Sequence, residues 1–154
     1  MQKIQSFRID HRTLDPGIYV SRVDGDVTTY DLRTRKPNSG DYMDNVTMHS
    51  VEHMLATLLR NSSIQNNIIY FGPMGCQTGF YLLVRNANNQ QVLEEIKIAL
   101  KATMDHQGPV FGQSAVECGN YRSLDIDLAK AECGRYLDIL NQEQTPSFQY
   151  KDFL

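Results

Sequence analysis

An α+β fold with a mainly antiparallel sheet is what this sequence predicts, on three observations. β-rich runs come in neighbouring pairs separated by turn residues. Three longer segments repeat apolar residues at helical spacing. Strands and helices are mixed without the regular alternation of a parallel βαβ chain. The 154 residues suit one compact domain, expected to span 1–154.

IYVSRVD (18–24) and VTTYDLRT (27–34) alternate in polarity around Gly25-Asp26 and predict a hairpin. KPNSGDYMDN (36–45) is turn-rich and predicts a loop. From about Thr47 to Arg60, residues Val51, Met54, Leu55, Leu58 and Leu59 predict a helix with Thr47 as N-cap. NIIYF (67–71) and FYLLVR (80–85) predict strands on either side of the glycine-rich GPMGCQTG (72–79). Val92, Leu93, Ile96, Leu100 and Met104 predict a second helix over 90–104. Pro109 and Gly112 mark a loop, and SAVECGNY (114–121) is expected to be extended. A third helix is expected over 124–140 with Ser123 as its cap, followed by an irregular polar tail.

Composition excludes several classes of function. The net charge is -3, and Lys and Arg form no run, which argues against a nucleic-acid or anionic-membrane surface. MQKIQSFRID has no apolar stretch of signal-peptide length, and no window approaches the roughly 20 apolar residues that cross a bilayer. The expected location is the cytoplasm. Cys76, Cys118 and Cys133 are an odd set, so a disulfide framework is not expected.

The chemistry concentrates on His49-Ser50-Val51-Glu52-His53. At about 100° per residue, positions 49, 52, 53 and 56 share one helix face, opposite the apolar stripe. Two imidazoles one turn apart grip a transition metal, and a carboxylate between them moves protons at a coordinated oxygen. The bland alternative is a surface helix with two satisfied histidines. Only four histidines occur in the chain, so their pairing here favours the metal. The same H-x-x-E-H pattern marks certain metallopeptidases, so it indicates a metal more strongly than a reaction.

Cys118, beside Gly119, is the candidate third ligand, and a His2Cys site with one open position is catalytic in type. The alternative is a buried loop cysteine. Cys76 sits among Gly72, Pro73, Gly75 and Gly79, either as a presented reactive thiol or as a small residue in a tight turn. Cys133 reads as core filler, and His106 as a favourable charge at a helix end. Ligand softness alone points to zinc.

SFRIDH (6–11), YDLR (30–33), PN (37–38), HSVEH (49–53), GPMGCQTGFY (72–81) and CG (118–119) together resemble the LuxS family of S-ribosylhomocysteine lyases. The matches keep the family's order and cover most of the chain. PMGCQTG is the most specific string among them. The resemblance implies a ferrous ion, replaceable by zinc or cobalt, held by His49, His53 and Cys118. It implies Glu52 and Cys76 as the acid/base pair. It implies a homodimer with sites at the interface, where Ser6, His11 and Arg33 approach the substrate. Ser50-Val51 replaces the family's usual Thr-Leu, and Tyr70 stands where an acidic residue near the substrate amine is usual.

The implied reaction splits S-ribosylhomocysteine into homocysteine and 4,5-dihydroxy-2,3-pentanedione, the autoinducer-2 precursor. Shifting the sugar carbonyl from C1 to C2 and then C3 acidifies the C4 proton, so that thiolate leaves C5 by β-elimination. Each step needs a Lewis acid at oxygen and a base at carbon. A peptidase instead requires a third, usually carboxylate, ligand on a later helix. A structural metal module requires a fourth protein ligand, for which only His11 and His106 remain among the histidines.

Overall fold

The computed structural model describes residues 1–154. Four strands, β1 (Gly17–Asp24), β2 (Val27–Arg33), β3 (Ile68–Pro73) and β4 (Gly79–Arg85), form one antiparallel sheet in the order β1-β2-β4-β3. Three helices, α1 (Asn45–Leu59), α2 (Asn89–Asp105) and α3 (Ile126–Asn141), complete the α+β architecture.

Alternation decides which face of the sheet is buried. Ile18 pairs with Leu32, Leu32 with Phe80, Tyr30 with Leu82 and Phe71 with Leu82, so these side chains share one face. They join Val51, Met54, Leu55, Leu59, Leu93, Ile96, Leu100 and Tyr136 from the helices in a cluster of 26 buried residues. Burying such side chains contributes about 1.5–3 kcal/mol each before chain entropy is counted. No helix is long and apolar enough to cross a membrane.

The opposite face is polar but not open. Asp31 and Arg33 lie there, 0% and 2% exposed, as a two-point ion pair with Nη2–Oδ2 2.7 Å and Nε–Oδ1 3.1 Å. The Tyr150 hydroxyl donates to Asp31 Oδ2 at 2.7 Å, and its ring stacks on Tyr19 at 4.9 Å. The C-terminal segment therefore packs across β1 and β2. It carries no helix, but Phe148 within it is buried in the core.

The expected elements form, and two caps move. The helix expected from Thr47 begins at Asn45, because the Asp44 carboxylate accepts from Thr47 N at 2.7 Å. Ser123 does not cap α3. Asp125 does, accepting from Asp127 N and Leu128 N. In both cases a carboxylate nearer the first turn takes the free N–H groups. The stretch 114–121 is not extended. Glu117 N and Cys118 N both donate to Ser114 O, which curls it into turns.

Candidate active site

The three candidate ligands come together. One donor atom from each of His49, His53 and Cys118 lies within 4.8 Å of the other two, and Cys118 Sγ is 3.4 Å from His49 Nε2. The two rings sit 4.6 Å apart and nearly perpendicular at 87°. Helical spacing accounts for the histidine pair, since residues four apart stack on one face of α1.

Backbone carbonyls hold the rings. His49 Nδ1 lies 2.8 Å from Ser123 O, and His53 Nδ1 lies 2.8 Å from Phe111 O. A carbonyl only accepts, so each Nδ1 carries the proton and each Nε2 keeps its lone pair for a metal. Between the two rings, Ser50 is fully buried and its hydroxyl accepts from Asp125 N at 2.8 Å. Three residues of one helix thus pin the segment 111–125 that carries Cys118. All three donors are only partly buried. Two neutral imidazoles and a thiolate are the donor set of a soft or borderline divalent ion. The set therefore fits a transition metal. A peptidase's carboxylate ligand is not what completes it, because the third donor is a thiol in a turn.

Glu52 is half-buried on the same turn of α1, and its carboxylate makes no hydrogen bond. It is free to act on a molecule entering that face. Cys76 is exposed at the tip of the β3–β4 connection. Its Sγ lies 3.0 Å from Thr78 Oγ1 and 3.8 Å from Arg33 Nη1. The Arg33 guanidinium also donates to Thr78 Oγ1 at 2.8 Å. Burial pushes its pKa down and Asp31 pushes it up, with a net rise, so Arg33 stays a cation beside the thiol.

The turn is tightly shaped. Gln77 has a left-handed backbone (φ 66°), unusual for a residue with a side chain. Its amide donates to Met43 O at 2.8 Å, and its carbonyl accepts from Met43 N at 3.0 Å. Gly79 must be glycine, because a Cβ there would meet Leu32 O at 2.5 Å.

The other candidates separate. Arg33 joins the Cys76 turn. Ser6 lies beside Tyr81 on β4, whose hydroxyl is pushed up by burial, with Ser6 opposing the rise. His11 Nδ1 bonds Ile9 O at 2.9 Å. Neither Ser6 nor His11 makes a hydrogen bond to the triad, Glu52 or Cys76. Cys133 is buried core, and desolvation raises its pKa to about 12. His106 ends α2 with Nε2 2.8 Å from Pro109 O. Tyr70 is 52% exposed on the edge strand β3, with its phenol folded over Gly72, where any Cβ would collide with it.

Sequence reasoning missed Asp31, Ser50 and Thr78. Asp31 is two residues from Arg33 on one strand and so on the same face, a signal that was available. Ser50 and Thr78 act across the fold and carry no local signal.

Residues 4–146 match the family profile of LuxS, S-ribosylhomocysteinase. The chain is 42% identical to the S-ribosylhomocysteine lyase of Finegoldia magna, over 99% of this chain and 100% of that protein. It is 42% identical to that of Borreliella afzelii and 44% identical to that of Desulfotalea psychrophila, each over 97% of this chain and 99% of the relative.

Proposed function

The chain belongs to the LuxS family of S-ribosylhomocysteinases, and from that premise we propose that it cleaves S-ribosylhomocysteine to L-homocysteine and 4,5-dihydroxy-2,3-pentanedione. The observation that carries this reading is the convergence of His49, His53 and Cys118 on one point. A divalent ion held there supplies Lewis acidity at the sugar oxygens.

The chain's own groups do the proton work. Cys76, 3.8 Å from Arg33 Nη1, takes a proton from a substrate carbon and returns it to the next. Glu52 takes and returns protons at oxygen as the carbonyl walks from C1 to C3. Glu52 also takes the C4 proton, the electron pair of that C–H bond forms the C4–C5 double bond as homocysteine thiolate leaves C5, and the resulting enol takes a proton at C5 to give the dione. The atoms balance without added water or oxidant.

We infer a ferrous ion, with zinc or cobalt able to substitute, from the chain's place in the LuxS family; the softness of the donors alone would point to zinc. We further infer a homodimer in which Ser6 and His11 reach the partner's substrate. Support comes from their separation from the triad within one chain, and from exposed Ile4 and Phe7 beside them, 58% and 66% exposed. The reaction is placed in the cytoplasm, where three free thiols stay reduced.

The test is release of homocysteine from S-ribosylhomocysteine by iron- or cobalt-loaded protein, followed with a thiol reagent. Thiol release that stops on chelation and returns with metal is expected. A metal-replete protein that releases no thiol sinks the assignment.

A further inference from the structure

A group of charged side chains away from the triad serves no step of the reaction. Glu132 on α3 is 3% exposed, and both of its oxygens face arginines. Arg35 meets them with Nη2 at 2.7 Å and Nε at 3.1 and 3.2 Å. Arg135 approaches at 3.3 and 3.4 Å. Arg35 also reaches Asp41 at 2.5 Å, and Arg135 donates to Thr34 O at 2.6 Å. Two cations and two anions therefore tie residues 34–41 to α3.

That segment in turn holds the thiol turn. Thr34 N and Arg35 N both donate to Thr78 O at 3.0 Å. Met43, two residues beyond Asp41, exchanges two hydrogen bonds with Gln77. Cys76 lies next in the chain. β2 ends at Arg33, so apart from the two main-chain bonds to Thr78 O, the contacts from α3 hold Thr34 and Arg35.

Stability alone does not explain this arrangement. The desolvation cost of buried ions roughly cancels their attraction, and apolar replacements of equal volume often do as well. What such a cluster fixes is geometry. We propose that Glu132 is a positioning residue for the Cys76 turn, acting through Arg35 and Arg135 on the 34–43 segment and through it on Gln77 and Thr78. The proposal rests on the reading that Cys76 acts on the substrate.

The test compares Glu132→Gln, Arg35→Gln and Arg35→Lys with the metal-loaded parent protein. Measured quantities are kcat and KM for homocysteine release, the iodoacetamide alkylation rate of Cys76, metal content and Tm. Expected for the two Gln variants are a kcat loss of roughly 10–100-fold, the scale of small misplacements, an altered alkylation rate, and unchanged KM and metal content. Arg35→Lys keeps the charge and should recover part of the kcat. A variant with lowered Tm but parental kcat and alkylation rate overturns the proposal, since the cluster would then only stabilise. If Glu132→Gln does not fold, Arg35→Gln decides, because Glu132 there keeps Arg135. If the parent itself releases no homocysteine, the lyase reading fails, and the alkylation rate still decides this proposal.

Discussion

The candidate metal triad and the thiol turn are built by different means. His49 and His53 project from one helix, and main-chain carbonyls orient both rings. Cys76 projects from a turn held by the Arg33 side chain from β2 and by main-chain groups of Thr34, Arg35 and Met43, with Arg35 in turn paired to Glu132 on α3. A helix sets its spacing by its own hydrogen bonds, and carbonyl partners survive most substitutions. A turn that leans on a buried arginine and on a segment without helical or sheet hydrogen bonding of its own depends on more remote groups. The triad should therefore tolerate mutation of its surroundings better than the thiol turn does.

The sharpest way to separate the two regions is to remove the acid/base groups. Cys76→Ala and Glu52→Gln should each keep metal and lose turnover by about 10²–10⁴-fold or more, the usual scale for acid/base loss. Steady-state kinetics with metal analysis checks this, and full activity in either variant removes that residue from the mechanism. Next is the buried pair beneath the thiol. Asp31→Ala strands the Arg33 charge and should cost about 3–5 kcal/mol. Denaturant unfolding measures that cost, with Cys76 reactivity changing in parallel.

Smaller effects are expected around the triad. Ser50→Ala leaves Asp125 N without its partner and should cost about 1–3 kcal/mol, read by thermal unfolding, with a weaker metal affinity because Cys118 shares that segment. Asp44→Ala removes the α1 cap and should cost about 1 kcal/mol. This last contribution depends on pH. The Thr47 N–H bond holds the Asp44 carboxyl below its ordinary 3.8. The folded state thus favours the ionised form, and the cap's contribution is complete above that ordinary value and lost as pH falls through the lowered one. The parent and Asp44→Ala should therefore converge in stability in acid.

How much was legible follows the same division. Strand alternation, the period of α1 and the H-x-x-E-H spacing are local, and they correctly indicated the sheet, the helix and the paired imidazoles. The caps moved because Thr47 and Ser123 compete with nearby carboxylates, and local sequence does not rank competitors. The 114–121 segment looked extended by composition, but Ser114 O collects two N–H groups and curls it. Arg33 entered as a substrate-facing residue; its buried position between Asp31, Thr78 and Cys76 required the fold.

By itself the sequence determined what short-range periodicity controls: an α+β chain, one amphipathic helix presenting two imidazoles and a carboxylate, and a glycine-rich turn presenting a thiol. Tertiary structure alone decided that Cys118 meets His49, that main-chain carbonyls meet both Nδ1 atoms, and that Glu132 on α3 meets Arg35. Those contacts join residues 58 to 97 positions apart. They arise only when sheet and helices bury their shared apolar face, since no local preference sets a distance between segments so remote in sequence.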